Sequence, residues 1–169
     1  MGRGAEMNKI VSIPGPTLFE APTEAARLAA MQPGQRLQRG VMRHLRQIGF
    51  ACLEEFSPDR GLRVDVMAVA AKGEIWVVEC KSCRADFMGD AKWQNYLPFC
   101  DRFFWAVDCD FPQDLLPDDT GLIIADAYDA EVIRMAPEDK LAAARRQKLT
   151  RDFGRCAAGR WASAVDPRF

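Results

Sequence analysis

The densest run of β-branched and aromatic residues lies between residues 62 and 82, where apolar segments at 63–70 and 74–82 flank Ala71, Lys72 and Gly73. Two such segments around a short loop ending in glycine predict an antiparallel hairpin, with Gly73 in the left-handed position. That register sets Val69 opposite Ile75, Met67 opposite Val77 and Asp65 opposite Glu79. Alternation of side chains then gathers Asp65, Glu79 and Lys81 on one face at the open end. The other face takes Val64, Val66, Ala68, Trp76, Val78 and Cys80. Both faces are largely apolar, as in central strands covered on both sides.

The surrounding pattern supplies the covers. Leu37, Val41, Leu45 and Ile48 form a helical stripe over residues 35–48, closed by Gly49. Residues 51–56 read as a strand, followed by a turn at 57–61. Residues 84–99 read as one helical segment ending near Pro98, and residues 102–107 as a strand parallel to its predecessor. A Pro- and Asp-rich loop leads to a second hairpin, 121–126 with 130–135, in which Asp126 is a turn residue. Pro137 then opens a long helix over 138–161, with Leu141, Leu149, Phe153 and Cys156 available to the core. This order predicts an α/β domain, a mixed β-sheet flanked by helices.

Composition narrows the picture. The chain has 169 residues, 49% of them hydrophobic, and a net charge of −1, which suits one folded domain and argues against disorder. Residues 1–24 read as a flexible N-terminal tail and 25–169 as the folded domain. The first 22 residues lack an apolar signal region and no run is long enough for a membrane span, so a cytoplasmic protein, free or on the nucleoid, is expected. The near-neutral total hides two basic segments. Arg27, Arg36, Arg39, Arg43 and Arg46 dominate the first, and Arg145, Arg146, Arg151, Arg155 and Arg160 the second. Either can face phosphates, or both can be solvated helix faces; the C-terminal helix is the stronger candidate. Six cysteines without a secretion signal read as free, buried thiols. Cys80 and Cys83 lack the second pair that a zinc ribbon needs, and Cys80 should point away from Glu79.

Two carboxylates across a ladder, with a lysine beside them, repel and resist burial unless they act together. A divalent cation removes both penalties. Mg²⁺ takes one or two carboxylates plus water and phosphate oxygens, polarises a phosphoryl group and activates water. Lys81 stands where it can position that water or counter charge on the phosphate. The plainer alternative is a surface Glu–Lys pair with Asp65 at a strand end.

Asp65 followed by Glu79-Cys80-Lys81 after an apolar strand resembles the PD-(D/E)XK nuclease superfamily, although Val64 stands where the motif has proline. A longer set is similar to the MmcB family of bacterial DNA repair proteins. It comprises the hairpin, Asp86-Phe87, Asp90, Lys92-Trp93, Tyr96, the run 100–105 and the run 121–128. The resemblance implies a restriction-endonuclease-like core of order αβββαβ, with an added hairpin and a C-terminal helix. It implies a metal-dependent DNA nuclease acting in repair, with Asp65, Glu79 and the Cys80 backbone carbonyl holding Mg²⁺ or Mn²⁺. Lys81 would orient the attacking water, while Lys92, Tyr96 and Arg84 would contact DNA. Related nucleases often carry a further acid or ligand on the first helix, but no acid stands between residues 35 and 49; His44, next to the apolar stripe, reads first as a hydrogen-bonded boundary residue, with a metal or phosphate contact as the alternative. A non-catalytic subunit that binds nucleic acid or other repair proteins on the same fold is the alternative.

Overall fold

The computed structural model describes residues 23–89 and 92–167. The N-terminal tail expected at 1–24 lies outside them up to residue 22. Six strands form one sheet in chain order: β1 (Phe50–Phe56), β2 (Val64–Ala70), β3 (Ile75–Cys80), β4 (Arg102–Val107), β5 (Gly121–Ala125) and β6 (Ala130–Arg134). β1, β2 and β3 pair antiparallel, β3, β4 and β5 parallel, and β6 returns antiparallel. The helices are α1 (Glu24–Ala30), α2 (Pro33–Gln47), α3 (Arg84–Met88) and α4 (Ala143–Val165).

The β2–β3 register is the expected one, running from Val69 with Ile75 to Val66 with Val78. Gly73 has φ +84° and its N–H donates to the Ala70 carbonyl at 2.8 Å, closing the three-residue turn. All six residues of β3 are buried, so the strand is covered on both faces. On one face Leu37, Val41 and Leu45 of α2 pack over Val66, Trp76, Val78 and Phe104, and Cys80 lies here, away from Glu79. On the other, Leu149 and Phe153 of α4 pack with Met67, Val77, Phe103 and Trp105. Gly40 lets α2 press on the β5–β6 turn: an added Cβ would stand 2.1 Å from the Asp126 carbonyl oxygen.

Three expectations change. Residues 84–99 are not one helix: α3 ends at Gly89, and Trp93–Phe99 is a 3₁₀ segment. Three residues per turn stack Trp93, Tyr96 and Phe99 on one side, and all three pack on the α4-side core. The last helix begins at Ala143, not 138, because Asp101 holds the approach: its carbonyl accepts the Asp139 N–H at 2.8 Å and its carboxylate the Leu141 N–H at 2.9 Å. The cysteines are all free, but Cys83 and Cys109 are exposed rather than buried. Among the described residues no helix is long and apolar enough to cross a membrane.

Candidate active site

At the open end of the hairpin the side chains take over the ladder. The register that pairs Val66 with Val78 brings Asp65 opposite Glu79. The Asp65 N–H donates to Glu79 Oε1 at 3.2 Å, and the Cys80 N–H donates to Asp65 Oδ2 at 2.8 Å. Each carboxylate thus accepts a backbone amide of the opposite strand. The Lys81 N–H donates to the Ala106 carbonyl at 2.8 Å, extending the β3–β4 pairing one residue past β3. This fixes the backbone of Lys81, whose Nζ lies 5.8 Å from the ring centre of Trp105. Trp105 is fully buried, and its Nε1 has no hydrogen-bond partner among the described residues.

Strand alternation fails at this point, and the cause is on β1. The β1–β2 register passes from Glu54 with Val66 to Phe56 with Val64, with Glu55 standing across from Asp65. Glu55 has φ +49°, a left-handed conformation that costs a non-glycine residue on the order of 1 kcal/mol. Arg160 of α4 holds it, donating to the carbonyls of Glu54 at 2.6 Å and Glu55 at 3.1 Å. Beyond this switch Phe56 and its partner Val64 pack on the α4 side, so Val64 does not share a face with Val66 as alternation predicts.

The result is a cleft of about 270 Å³ at the sheet end, lined by Asp65, Cys80, Lys81, Asp86, Glu55, Gln35 and Gln38, among others. Gln38 is buried and its Nε2 donates to the Asp65 carbonyl at 2.5 Å. Asp86 accepts the Ser82 N–H at 3.3 Å. Glu79 lies behind the cleft wall, 4% exposed, and Lys81 is 7% exposed. Burial pushes the Asp65 carboxyl above its ordinary range; the Cys80 amide and Lys81 pull it back, and the charges of Glu55 and Asp86 push it further up. Carboxylates therefore crowd one lysine, and a cation in the cleft would relieve them. Asp65 and Glu79 each accept a backbone amide of the opposite strand on one oxygen. With a backbone carbonyl, this donor set suits Mg²⁺ or Mn²⁺, which fill their remaining positions with water or phosphate oxygens. Among the described residues no group of three or more His, Cys, Asp or Glu side chains is placed to hold a metal ion.

Residues 21–168 match the family profile described as DNA repair protein MmcB-like, close to the full length of the chain. The chain belongs to the MmcB-like DNA repair family. A solved structure of a protein of unknown function from Silicibacter pomeroyi is 64% identical, covering 82% of this chain and 95% of that one with a TM-score of 0.81. No curated protein matches the chain.

Within this MmcB-like chain the structure brings together Asp65, Glu79, Cys80 and Lys81. His44 sits at the boundary of the α2 stripe, 3.8 Å from Asp129 at the β5–β6 turn, and does not line the described part of the cleft. Tyr96, partly buried, packs against the α4-side core. Arg84 opens α3 and Lys92 precedes the 3₁₀ segment; both are exposed, and neither lines the described part of the cleft. Sequence reasoning missed Gln38, Gln35 and Glu55. Gln38 had a signal, a polar residue three before Val41 and four before Met42 on the buried face. Glu55 had none, because a left-handed strand residue leaves no trace when it is not glycine.

Proposed function

We propose that this MmcB-like chain is a Mg²⁺- or Mn²⁺-dependent deoxyribonuclease acting in DNA repair. The observation that carries the reading is the convergence of Asp65, Glu79 and Lys81 where β2 begins and β3 ends, beside an open cleft. The element order, a helix, three antiparallel strands, a helical crossover and a parallel strand, supports placing the core in the PD-(D/E)XK superfamily. Asp65, Glu79 and the Cys80 carbonyl would hold the metal. When bound, the ion supplies charge to polarise a phosphodiester and lower the pKa of a water. Lys81, buried and fixed through its amide, orients that water or answers charge on the phosphoryl oxygens. Gln38 and Glu55 hold the backbone and the face switch that present Asp65.

One observation favours the second reading, a binding subunit without turnover: Glu79 is 4% exposed and both acids already accept backbone amides. One experiment separates them. Purified protein is incubated with single-stranded, duplex and branched DNA, and with RNA, in Mg²⁺ and in Mn²⁺, beside Lys81→Ala. Loss of at least about 100-fold in cleavage with the fold retained is expected, the scale of a positioned acid–base group. Cleavage by the variant at the wild-type rate removes Lys81 from the reaction. Binding without cleavage of any substrate selects the subunit reading.

A further inference from the structure

Helix α2 carries Arg36, Arg39, Arg43 and Arg46, and no acidic residue. At 100° per residue these positions fall within an arc of about 80°, and at 1.5 Å per residue they span about 15 Å. They form a stripe on the side of α2 turned from the sheet, since Leu37, Val41 and Leu45 fill the buried side. Arg36 and Arg46 are exposed and make no ion pair among the described residues. Arg39 pairs with Glu24 of α1 at 2.6 Å, donates to the Ala127 carbonyl and lies over the Tyr128 ring, and Arg43 lies 3.8 Å from the Glu24 carboxylate. Besides Glu24, the acids facing the stripe are Glu54 and Glu55 of β1. Arg39, Arg43 and Arg46 line a groove of about 1000 Å³ that shares Gln35, Gln38 and Glu55 with the Asp65 cleft. Arg36 lines a second groove of about 720 Å³ that reaches Ser82, next to Lys81.

We propose that the arginine stripe of α2 is a track for a nucleic-acid phosphodiester backbone, leading to the cleft at Asp65 and Lys81. A stripe of about 15 Å is long enough to meet more than one phosphate of a single strand, whose charge dominates nucleic-acid affinity. The bidentate fork of a guanidinium suits each phosphate. Glu24 occupies the site of one such phosphate on Arg39 and Arg43, and an incoming strand displaces it. The second basic segment is placed differently: on α4, Arg146 is tied to Asp101 and Arg160 to the β1 carbonyls, which leaves the exposed Arg151 and Arg155 as the comparison for the stripe. The inference rests on the DNA-acting reading above for its polymer, but not on cleavage.

The test measures binding of labelled 20-nucleotide DNA (single-stranded and duplex) and RNA to the full chain by fluorescence anisotropy. EDTA keeps catalysis out. The double variant Arg36→Glu with Arg46→Glu breaks no described ion pair. Arg151→Glu with Arg155→Glu on α4 makes the same change in net charge. The α2 variant should bind at least about tenfold more weakly near 0.1 M salt, with the slope of log K against log salt reduced by about two, close to one unit per lost phosphate contact. The α4 variant should lose far less. Stripe-dependent binding of either DNA or RNA upholds the assignment, and the two arms report which polymer is preferred. Equal losses from both variants, no loss from the α2 variant, or no binding by the wild-type chain overturns it. Circular dichroism melts confirm that each variant is folded. Stripe-dependent binding by a chain that cleaves nothing retains the track and rejects the nuclease.

Discussion

Asp101 and Asp65 stand at opposite ends of β3, and the protein treats them in opposite ways. Asp101, 2% exposed, accepts the Ile75 N–H at 2.7 Å, the Leu141 N–H at 2.9 Å and a two-pronged bond from Arg146 at 2.6 Å on each oxygen. Burial alone would raise its pKa; Arg146 and the two amides overcome that and hold it below the usual carboxylate range. Asp65 has one amide, a lysine nearby and two further acids, and burial lifts its carboxyl. Both carboxylates are removed from water, but only one is compensated. The compensated end ties β3, β4 and the approach to α4 together. The less compensated end opens on a cleft, the arrangement that the proposed metal site would use.

The largest expected effect falls on the compensated end. Asp101→Ala leaves the Ile75 and Leu141 amides without their acceptor and Arg146 without its carboxylate, and should cost about 2–4 kcal/mol. Urea unfolding measures it, and a loss within experimental error would mean that Arg146 and the loop reorganise around the gap. The pH dependence has a definite sign. A carboxyl held low in the folded state contributes stability that is complete above its unfolded pKa, about 3.9, and lost as the pH falls through the folded value. The wild-type urea midpoint should therefore fall in acid below about pH 4, and Asp101→Asn should flatten that fall.

The metal comes next in size. A divalent cation that binds only the folded chain stabilises it by about 2.7 kcal/mol at 100 times its Kd. For a chain of this length that corresponds to a rise in Tm of about 5–10 °C. The rise should appear with Mg²⁺ or Mn²⁺ at matched ionic strength, vanish in Asp65→Asn and survive in Asp101→Asn. A rise that persists in Asp65→Asn places the ion elsewhere.

The same contrast explains what could be read from the chain. The hairpin register, and with it the juxtaposition of Asp65 and Glu79, was legible because a period of two and a glycine at position 73 leave one pairing that buries both faces. β4 was legible because Phe103–Val107 is an unbroken apolar run. Asp126 read as a turn residue, and it accepts the amides of Tyr128 at 2.6 Å and Asp129 at 2.9 Å. The rest depended on partners distant in sequence. Asp101 looks like a loop acid until Arg146 and Leu141 meet it, which also hides the true start of α4. The 3₁₀ spacing of Trp93, Tyr96 and Phe99 is visible in the sequence, yet it competes with a helical reading that only the aromatic floor beneath decides. His44 followed the helix stripe correctly as a boundary residue, but a stripe does not say which end of the helix lies over the cleft.

The smallest effect is the sharpest test of the comparison. A carboxyl raised in the folded state binds more protons there than in the unfolded chain. Folding stability therefore declines as the pH rises from about 3.9 through the folded value, and the whole penalty is present above it. Asp65→Asn removes that penalty and its repulsion with Glu55 and Asp86. It also keeps an oxygen to accept the Cys80 amide, so the strand end need not move. In EDTA at pH 7 the variant should be more stable than the wild type by on the order of 1 kcal/mol, while losing metal-dependent cleavage, the trade expected of a residue retained for chemistry. Urea midpoints of wild type, Asp65→Asn and Asp101→Asn across pH 3–8 set the two ends side by side. A gain for Asp65 with a loss for Asp101 upholds the division between ligand and structural acid. Equal losses would make Asp65 a second tie of the fold, and its place in the cleft would then need another cause.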